Sequence, residues 1–308
     1  MSTAFQVILT GTQEVPPTPS TASGLGTVIF DDKAVTASYS FDIRGVDFGA
    51  FTPDGAQTVA TDDDVTRTHF HNQLPGVNGN IVFGQIDTVN AAFVQDGDDF
   101  DIVLNADGSW TLSGVWETTD PPAPPTTTFP EGATIADFAP VLGSAPVTTA
   151  VPLYFNVHTS EFGGGEIRGQ LVVIADDNDN VVTGTLGNDR LPGLDGNDTI
   201  RGLAGNDMLQ GGDGKDSMNG GVGNDTLTGG KGPDLFVFNA GFGNDIITDF
   251  QNNDRIQFED GLFQDAQAVL DASHQDDGDT VITVGTNTIT LQGVQLSSLH
   301  EHDFLILA

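Results

Sequence analysis

The chain has no cysteine in its 308 residues. That removes disulfides, thiolate zinc sites and thiol nucleophiles together. Positive charge is almost as scarce: nine Lys plus Arg stand against 44 Asp plus Glu, a formal net charge of −35. A field of that sign repels nucleic acid and anionic lipid, and cations are the expected partners. No run approaches the ~18 continuous apolar residues of a membrane-spanning helix, so no membrane insertion is expected. The opening MSTAFQVILTG lacks a basic start and a sustained apolar core, so a cleaved secretory leader is not expected either. Also missing are a Ser/His/Asp order, a P-loop and a dinucleotide fingerprint, which leaves an enzyme as the lesser expectation.

What the chain has in quantity is glycine, 39 residues, and much of it is periodic. From Gly184 the frame GTLGNDRLP, GLDGNDTIR, GLAGNDMLQ, GGDGKDSMN, GGVGNDTLT, GGKGPDLFV runs to Val237 without insertion, six copies of nine residues. Gly184, Gly193, Gly202, Gly211, Gly220 and Gly229 fill the first slot. Gly187, Gly196, Gly205, Gly214, Gly223 and Gly232 fill the fourth, and Asp189, Asp198, Asp207, Asp216, Asp225 and Asp234 the sixth. The eighth slot is always apolar: Leu191, Ile200, Leu209, Met218, Leu227, Phe236. A Gly/Asp/Asn-rich flexible linker has no reason to keep that hydrophobe or that frame.

Two glycines per repeat are expected to supply positive φ for a short turn. One apolar residue per nine suits a strand of about three residues with a single inward side chain, too little core to fold alone, so copies must stack. Stacking lines up one carboxylate per turn at roughly 5 Å, the distance between neighbouring strands. Like charges that close repel unless a cation lies between them. Ca²⁺ suits that place, since it takes carboxylate and backbone carbonyl oxygens.

These residues resemble the RTX (repeats-in-toxin, haemolysin-type) calcium-binding nonapeptide, which implies a parallel β-roll over 184–237. In that family a turn and the turn two repeats later share an ion. The resemblance therefore implies pairs Asp189 with Asp207, Asp198 with Asp216, Asp207 with Asp225 and Asp216 with Asp234, about four sites or more. The sixth-slot aspartates and fourth-slot glycines are the implied calcium ligands. The second slot departs from the pattern, holding Thr185, Leu194 and Leu203 before it becomes glycine.

After the repeats, FGNDIITDFQNNDRIQFEDGLF breaks the frame, because Asp245 lies eleven residues after Asp234. Residues 238–308 are expected to form a small β-rich cap, with a short helix in DAQAVLDASH and a hairpin of DTVITVG and NTITLQGV around Gly285 to Asn287. The segment also resembles the uncleaved C-terminal export region of type I secretion substrates, which implies the type I export machinery as a partner and a bacterial extracellular or cell-surface location. Residues 176–183, around ADDNDNVVT, read as an acidic linker.

Residues 1–175 differ in composition. AFQVILTG, GTVIFDD, VTASYSFDI, GNIVFGQI, DFDIVLN, SWTLSGVW, LYFNV and EIRGQLVVIA are short, β-branched and aromatic, separated by Gly, Pro and Asp turns, which argues an antiparallel sandwich or barrel. The chain is thus expected to be all-β. LTGTQEVPP at 9–17, HFHN at 69–72 and YFNVHTSEFGGGEIRGQL at 154–171 resemble the CHRD domain, first named in chordin, over roughly residues 4–174. Relative to that family, residues 48–66 and the proline-rich TTDPPAPPTTTFPEGA look like insertions. No general activity attaches to the family.

Two readings stay open. In one, the protein is a secreted, non-enzymatic calcium-binding component of the cell surface or extracellular matrix, with the first domain as adhesion or self-assembly module. In the other it is a secreted copper- or zinc-binding protein or redox metalloenzyme using His69, His71 and His158. On a strand His69 and His71 share one side, about 6–7 Å apart along the chain, and Tyr154, Asn156 and His158 share a face in YFNVHT. An all-imidazole set suits copper or zinc.

Overall fold

Alternation decides the structure of the first half. In AFQVILT, Phe5, Val7 and Leu9 are fully buried while Ile8 between them is 46% exposed, the period-two pattern of a strand with one covered face. The computed structural model describes residues 1–14, 17–46, 65–72, 80–87, 101–106, 108–116, 135–159, 165, 167–259 and 261–307. It divides into two units, Met1–Ile174 and Ala175–Ala308.

Unit one contains β1 (Ser2–Thr10), β2 (Ser23–Asp31), β3 (Thr36–Arg44), β4 (Val65–Asn72), β5 (Asn80–Asp87), β6 (Asp101–Leu104), β7 (Trp110–Trp116), α1 (Ile135–Leu142), β8 (Ala150–Thr159) and β9 (Ile167–Asp176). All nine strands form one sheet in the order β5-β4-β8-β9-β1-β2-β3-β7-β6. Neighbours such as β1 and β2, β2 and β3, β4 and β8, and β8 and β9 run antiparallel. The sheet curves into a half-barrel. The barrel-like expectation is therefore realised without closure, and β5 and β6 are its two edges. Aromatic side chains fill the concave space: Phe41 stacks on Phe155 at 4.2 Å between ring centres, and Phe70 lies 4.9 Å from Phe155 and 5.5 Å from Trp116. Helix α1 adds Ile135, Phe138 and Leu142 to that core. Residues 48–64 of the expected insertion and the proline-rich segment at 118–133 lie outside the described residues.

Unit two begins with β10 (Val181–Thr183), β11 (Arg190–Asp195), β12 (Thr199–Ala204), β13 (Met208–Asp213), β14 (Ser217–Val222), β15 (Thr226–Lys231), β16 (Leu235–Phe238), β17 (Asn244–Ile247) and β18 (Arg255–Phe258). It continues with α2 (Ala266–Asp271), β19 (Ser273–Asp276), β20 (Asp279–Val284), β21 (Asn287–Leu291) and β22 (Phe304–Ile306). Successive repeats alternate between two sheets, ordered β10-β12-β14-β16-β18-β22 and β11-β13-β15-β17-β21-β20-β19, parallel throughout except for the antiparallel β21-β20-β19 end of the second. Each strand thus pairs with the strand two repeats on, Arg190 with Met208 and Thr199 with Ser217. This is a parallel roll of about four turns over 181–258. The eighth-slot residues Leu191, Ile200, Leu209, Met218, Leu227 and Phe236 stack inside it at 0–1% exposure. One such side chain contributes ~1.5–3 kcal/mol of apolar burial, less than the backbone entropy of ordering nine residues.

The roll extends past the uninterrupted repeats at both ends. The segment expected as an acidic linker supplies β10, which pairs with β12, and beyond the broken frame β17 and β18 add parallel strands to β15 and β16. The expected helix is α2, capped by the Asp265 side chain, and the expected hairpin is β20 with β21. Strand β21 lies parallel on β17, covering that edge of the roll as a lid would.

Candidate calcium-binding ladder

The sixth-slot aspartates are nearly all inside. Asp189, Asp198, Asp207, Asp216 and Asp225 are each 1% exposed and Asp234 2%. Turns related by 18 residues face each other directly, so the backbone N–H of one aspartate donates to the carboxylate of the aspartate two repeats later. Asp189 donates to Asp207 Oδ1 at 2.8 Å, Asp198 to Asp216 at 2.8 Å, Asp207 to Asp225 at 2.9 Å and Asp216 to Asp234 at 2.9 Å. Each of the four pairs implied by the repeat family is brought into contact.

The second carboxylate oxygens differ from the first. Oδ2 of Asp198, Asp207, Asp216, Asp225, Asp234 and Asp245 is buried without a hydrogen-bond partner. A buried charged acceptor left without a partner is costly, and six along the roll, three in each of two stacks (Asp207, Asp225, Asp245 and Asp198, Asp216, Asp234), point to a shared cause. The first member of one stack and the last member of the other are different. Asp189 Oδ2 accepts from Thr185 N at 2.6 Å and Thr185 Oγ1 at 3.0 Å, and Asp254 Oδ2 accepts from Gln251 N at 2.8 Å. The non-glycine Thr185 therefore closes the first turn with protein atoms.

First-slot glycines leave the space beside these oxygens. A Cβ on Gly202 would lie 2.2 Å from Asp207 Oδ2 and 2.4 Å from the Gly220 carbonyl oxygen, and one on Gly211 would lie 2.4 Å from Asp216 Oδ2 and 2.5 Å from Gly229 O. Carboxylate and carbonyl oxygens thus converge on a cradle that any larger residue would fill. Six hard oxygen acceptors, no nitrogen or sulfur ligand, and no neighbouring cation in the row fit Ca²⁺ by donor chemistry.

The positive φ expected of the first slot falls elsewhere. It occurs at the fourth slot, at Gly196 to Gly232, and at the second, at Gly212, Gly221 and Gly230. The second slot also explains the departures from the repeat. Leu194 and Leu203 have φ of 79° and 80°, strained for a branched side chain. From Gly212 onward a Cβ would meet the backbone oxygen of the residue two repeats earlier, 1.7 Å from Leu194 O for Gly212 and 2.1 Å from Leu203 O for Gly221. Below Leu203 the partner strand β10 ends at Thr183, so no strand lies there and a side chain is tolerated.

Electrostatics follow from burial. It pushes the Asp198 carboxyl up to about 7, Asp207 and Asp234 to about 6 and Asp245 to about 8, with neighbouring carboxylates adding to the effect. Burial likewise raises Asp189, Asp216, Asp225 and Asp254.

Asp245 and Asp254 were not among the residues expected from sequence. Asp225 N donates to Asp245 Oδ1 at 2.9 Å and Asp234 N to Asp254 Oδ1 at 3.0 Å, so both continue the ladder. The signal was an Asp two residues before an apolar position, Ile247 and Ile256, both fully buried. Fifth-slot asparagines form a second, outer ladder: Asn206 N donates to Asn188 Oδ1 and Asn224 N to Asn206 Oδ1, each at 2.9 Å.

His69 and His71 lie on β4 opposite Asn156 and Tyr154 of β8, and His158 lies opposite Arg67. The side chains of His69 and His71 are outside the described residues, and His158 is 6% exposed. On the next strand Arg168 pairs with Asn156. Its guanidinium is buried and sits 4.1 Å above the Tyr154 ring, a fixed positive charge beside this register.

No curated protein matches the chain. Among solved structures it is similar to the extracellular lipase LipA from Serratia marcescens, at 21% identity over 49% of this chain with a TM-score of 0.36, and it spans only 29% of that protein. It is also similar to the AlgE6R3 subunit of the Azotobacter vinelandii mannuronan C5-epimerase, at 30% identity over 42% of this chain and 78% of that one, TM-score 0.19. The AlgE6R2 subunit gives 26% identity over 43% and 91%, TM-score 0.24. A model of the RTX calcium-binding nonapeptide repeat (4 copies) matches residues 174–209 and 202–236, over the buried aspartate ladder. A CHRD domain model matches residues 5–171, more than half of the sequence and nearly all of the nine-stranded unit. The chain therefore belongs to the CHRD domain family, with RTX calcium-binding repeats following that domain.

Proposed function

We propose that the protein is a secreted, non-enzymatic calcium-binding component of the bacterial cell surface or extracellular matrix, exported through a type I machinery and folded by calcium outside the cell. The observation that carries this reading is the set of six buried, unpartnered Oδ2 atoms, three in each of two stacks. Asp198, Asp207, Asp216, Asp225, Asp234 and Asp245 hold the ions, with first-slot carbonyls beside them. Calcium supplies the positive charge that lets these carboxylates lie side by side in a dry roll. Cytosolic calcium is far below the roughly 10⁻⁴–10⁻³ M dissociation constants of extracellular modules, so the repeats stay open until export. If outside calcium is about ten times that constant, each site contributes about 1.4 kcal/mol, and four sites about 5–6 kcal/mol, comparable to the stability of a small domain.

The CHRD domain serves as the adhesion or assembly module. What supports this is the open sheet, whose edge strands β5 and β6 are not paired with each other, and the exposure of Val103 and Leu104 on β6, at 53% and 54%. Unpaired strand edges are templates for pairing with another chain.

Circular dichroism of the full chain in chelator and in millimolar calcium tests the first part, with a large calcium-dependent gain of β signal expected. An unchanged spectrum refutes it. Removal of roughly the last fifty residues is expected to keep the chain inside the cell. Sedimentation in calcium tests assembly: concentration-dependent oligomers are expected, and a monomer at all concentrations refutes that role. A copper or zinc site at His69, His71 and His158 is the second reading. The β4–β8 register favours it and the Arg168 charge opposes it, and His69→Ala with His71→Ala should abolish copper binding if it holds.

A further inference from the structure

The chain has six histidines, and the place where the described residues gather imidazoles with a carboxylate is neither the roll interior nor β4. It is the sequence His300-Glu301-His302-Asp303, a single tight turn over Glu301–Asp303 that leads into β22. One ligand atom from each of His300, His302 and Asp303 lies within 4.8 Å of the others. The two rings are nearly parallel, 28° apart, with centres separated by 5.3 Å. His302 Nε2 is 3.4 Å from Asp303 Oδ1.

The turn holds this arrangement in place. Asp303 is only 4% exposed, and its Oδ2 accepts from the His300 backbone N–H at 2.7 Å, which fixes the carboxylate and leaves Oδ1 toward the rings. The Arg255 guanidinium of β18 donates to the His302 carbonyl oxygen, tying the turn to the neighbouring strand. Both histidines are exposed, so an ion can enter from solvent. An ion pair between His302 and Asp303 accounts for one imidazole. The capping box of the turn brings the His300 side chain beside the Asp303 backbone N–H, so both rings stand next to the one buried carboxylate, where two charged imidazoles would repel unless they share an ion.

We propose that His300, His302 and Asp303 bind one divalent transition-metal ion of the zinc and copper class, at a site separate from the calcium ladder. Two imidazoles and a carboxylate are borderline ligands that suit zinc or copper. The all-oxygen ladder suits calcium instead. Three protein ligands leave an open position for water or an external ligand. The turn is tied to Arg255 and opens β22, which lies parallel on β18, so a bound ion stiffens the turn from which the final strand starts.

The test uses the full chain with the ladder saturated by millimolar calcium, titrated with zinc alone and followed by calorimetry and histidine imidazole NMR. One zinc per chain is expected at this site, with two imidazole signals shifting together. His300→Gln combined with His302→Gln should remove that zinc and both shifts while leaving the calcium-induced β signal intact. His69→Ala with His71→Ala should leave the two shifts in place. The proposal is overturned if the parent binds no zinc in calcium, if the His300/His302 variant binds as much as the parent, or if the shifts vanish on changing His69 and His71.

Discussion

Replacing Asp207 by asparagine should stabilise the protein without calcium and destabilise it with calcium. Asparagine keeps the acceptor that takes the Asp189 N–H and removes the charge, and its amide can donate into the space shared with the Gly220 carbonyl. Burial raises the Asp207 carboxyl from 3.8 to about 6. At about 1.4 kcal/mol per tenfold change in acidity, the ionised side chain costs the calcium-free fold about 3 kcal/mol at neutral pH. The variant is spared that cost. It also loses a carboxylate that faces both Asp189 and Asp225, and so weakens two sites. At calcium ten times the dissociation constant two sites are worth about 2.8 kcal/mol, and at a hundred times about 5.5 kcal/mol. The stability curves of variant and parent therefore cross near tenfold, and the variant is about 2.5 kcal/mol worse at a hundredfold. Urea unfolding followed by circular dichroism across buffered calcium concentrations measures this. A variant less stable than the parent at every concentration, chelator included, would refute the reasoning.

Two further outcomes follow from the same geometry. The ladder carboxyls have folded values above their unfolded ones, so their stabilising contribution is complete below about 3.8 and is lost as pH rises through about 6 to 8; in chelator the β signal of the roll should fall from pH ~5 to pH ~8. Millimolar calcium should abolish that slope above pH ~7, and a flat profile in chelator would contradict the burial of these groups. In the second slot, Gly221→Ala should cost about 3 kcal/mol or more, since its Cβ meets a backbone oxygen at 2.1 Å. Leu203→Gly should instead be neutral or gain up to ~1 kcal/mol, and equal losses in the two thermal melts would count against the stacking argument.

The roll was legible because its period is rigid. A hydrophobe every nine residues, with an aspartate two places before it, determines strand, core and carboxylate row at once. The same signal marks Asp245 and Asp254, but a two-residue insertion between Asp234 and Asp245 hid them, since stacking depends on the register of turns and tolerates slack in the connecting loop. The role of first-slot glycine was misread for a related reason. Sequence shows that a side chain is absent but not whether φ or space forbids it, and space is decided by the aspartate carboxylate five places on together with a carbonyl 18 places away. In the first unit the strands were visible from alternation, yet α1 was not, being eight residues long and interrupted by Pro140. The cluster at His300, His302 and Asp303 carries no strand alternation that sequence could show, because a single turn brings these three together.

The aspartate ladder has a direction. Each carboxylate serves the N–H of a turn that precedes it in the chain, never one that follows. The last member of one stack, Asp254, donates its own N–H to Gln251 O and receives Gln251 N–H, so that stack ends without help from another turn. A roll shortened from its N-terminal end leaves every surviving aspartate N–H served, while one shortened from the other end strands an aspartate N–H at each new boundary. The aspartate hydrogen bonds thus give the roll a foundation at one end, whereas its strand hydrogen bonds, which run both ways between turns, are cut wherever it is shortened.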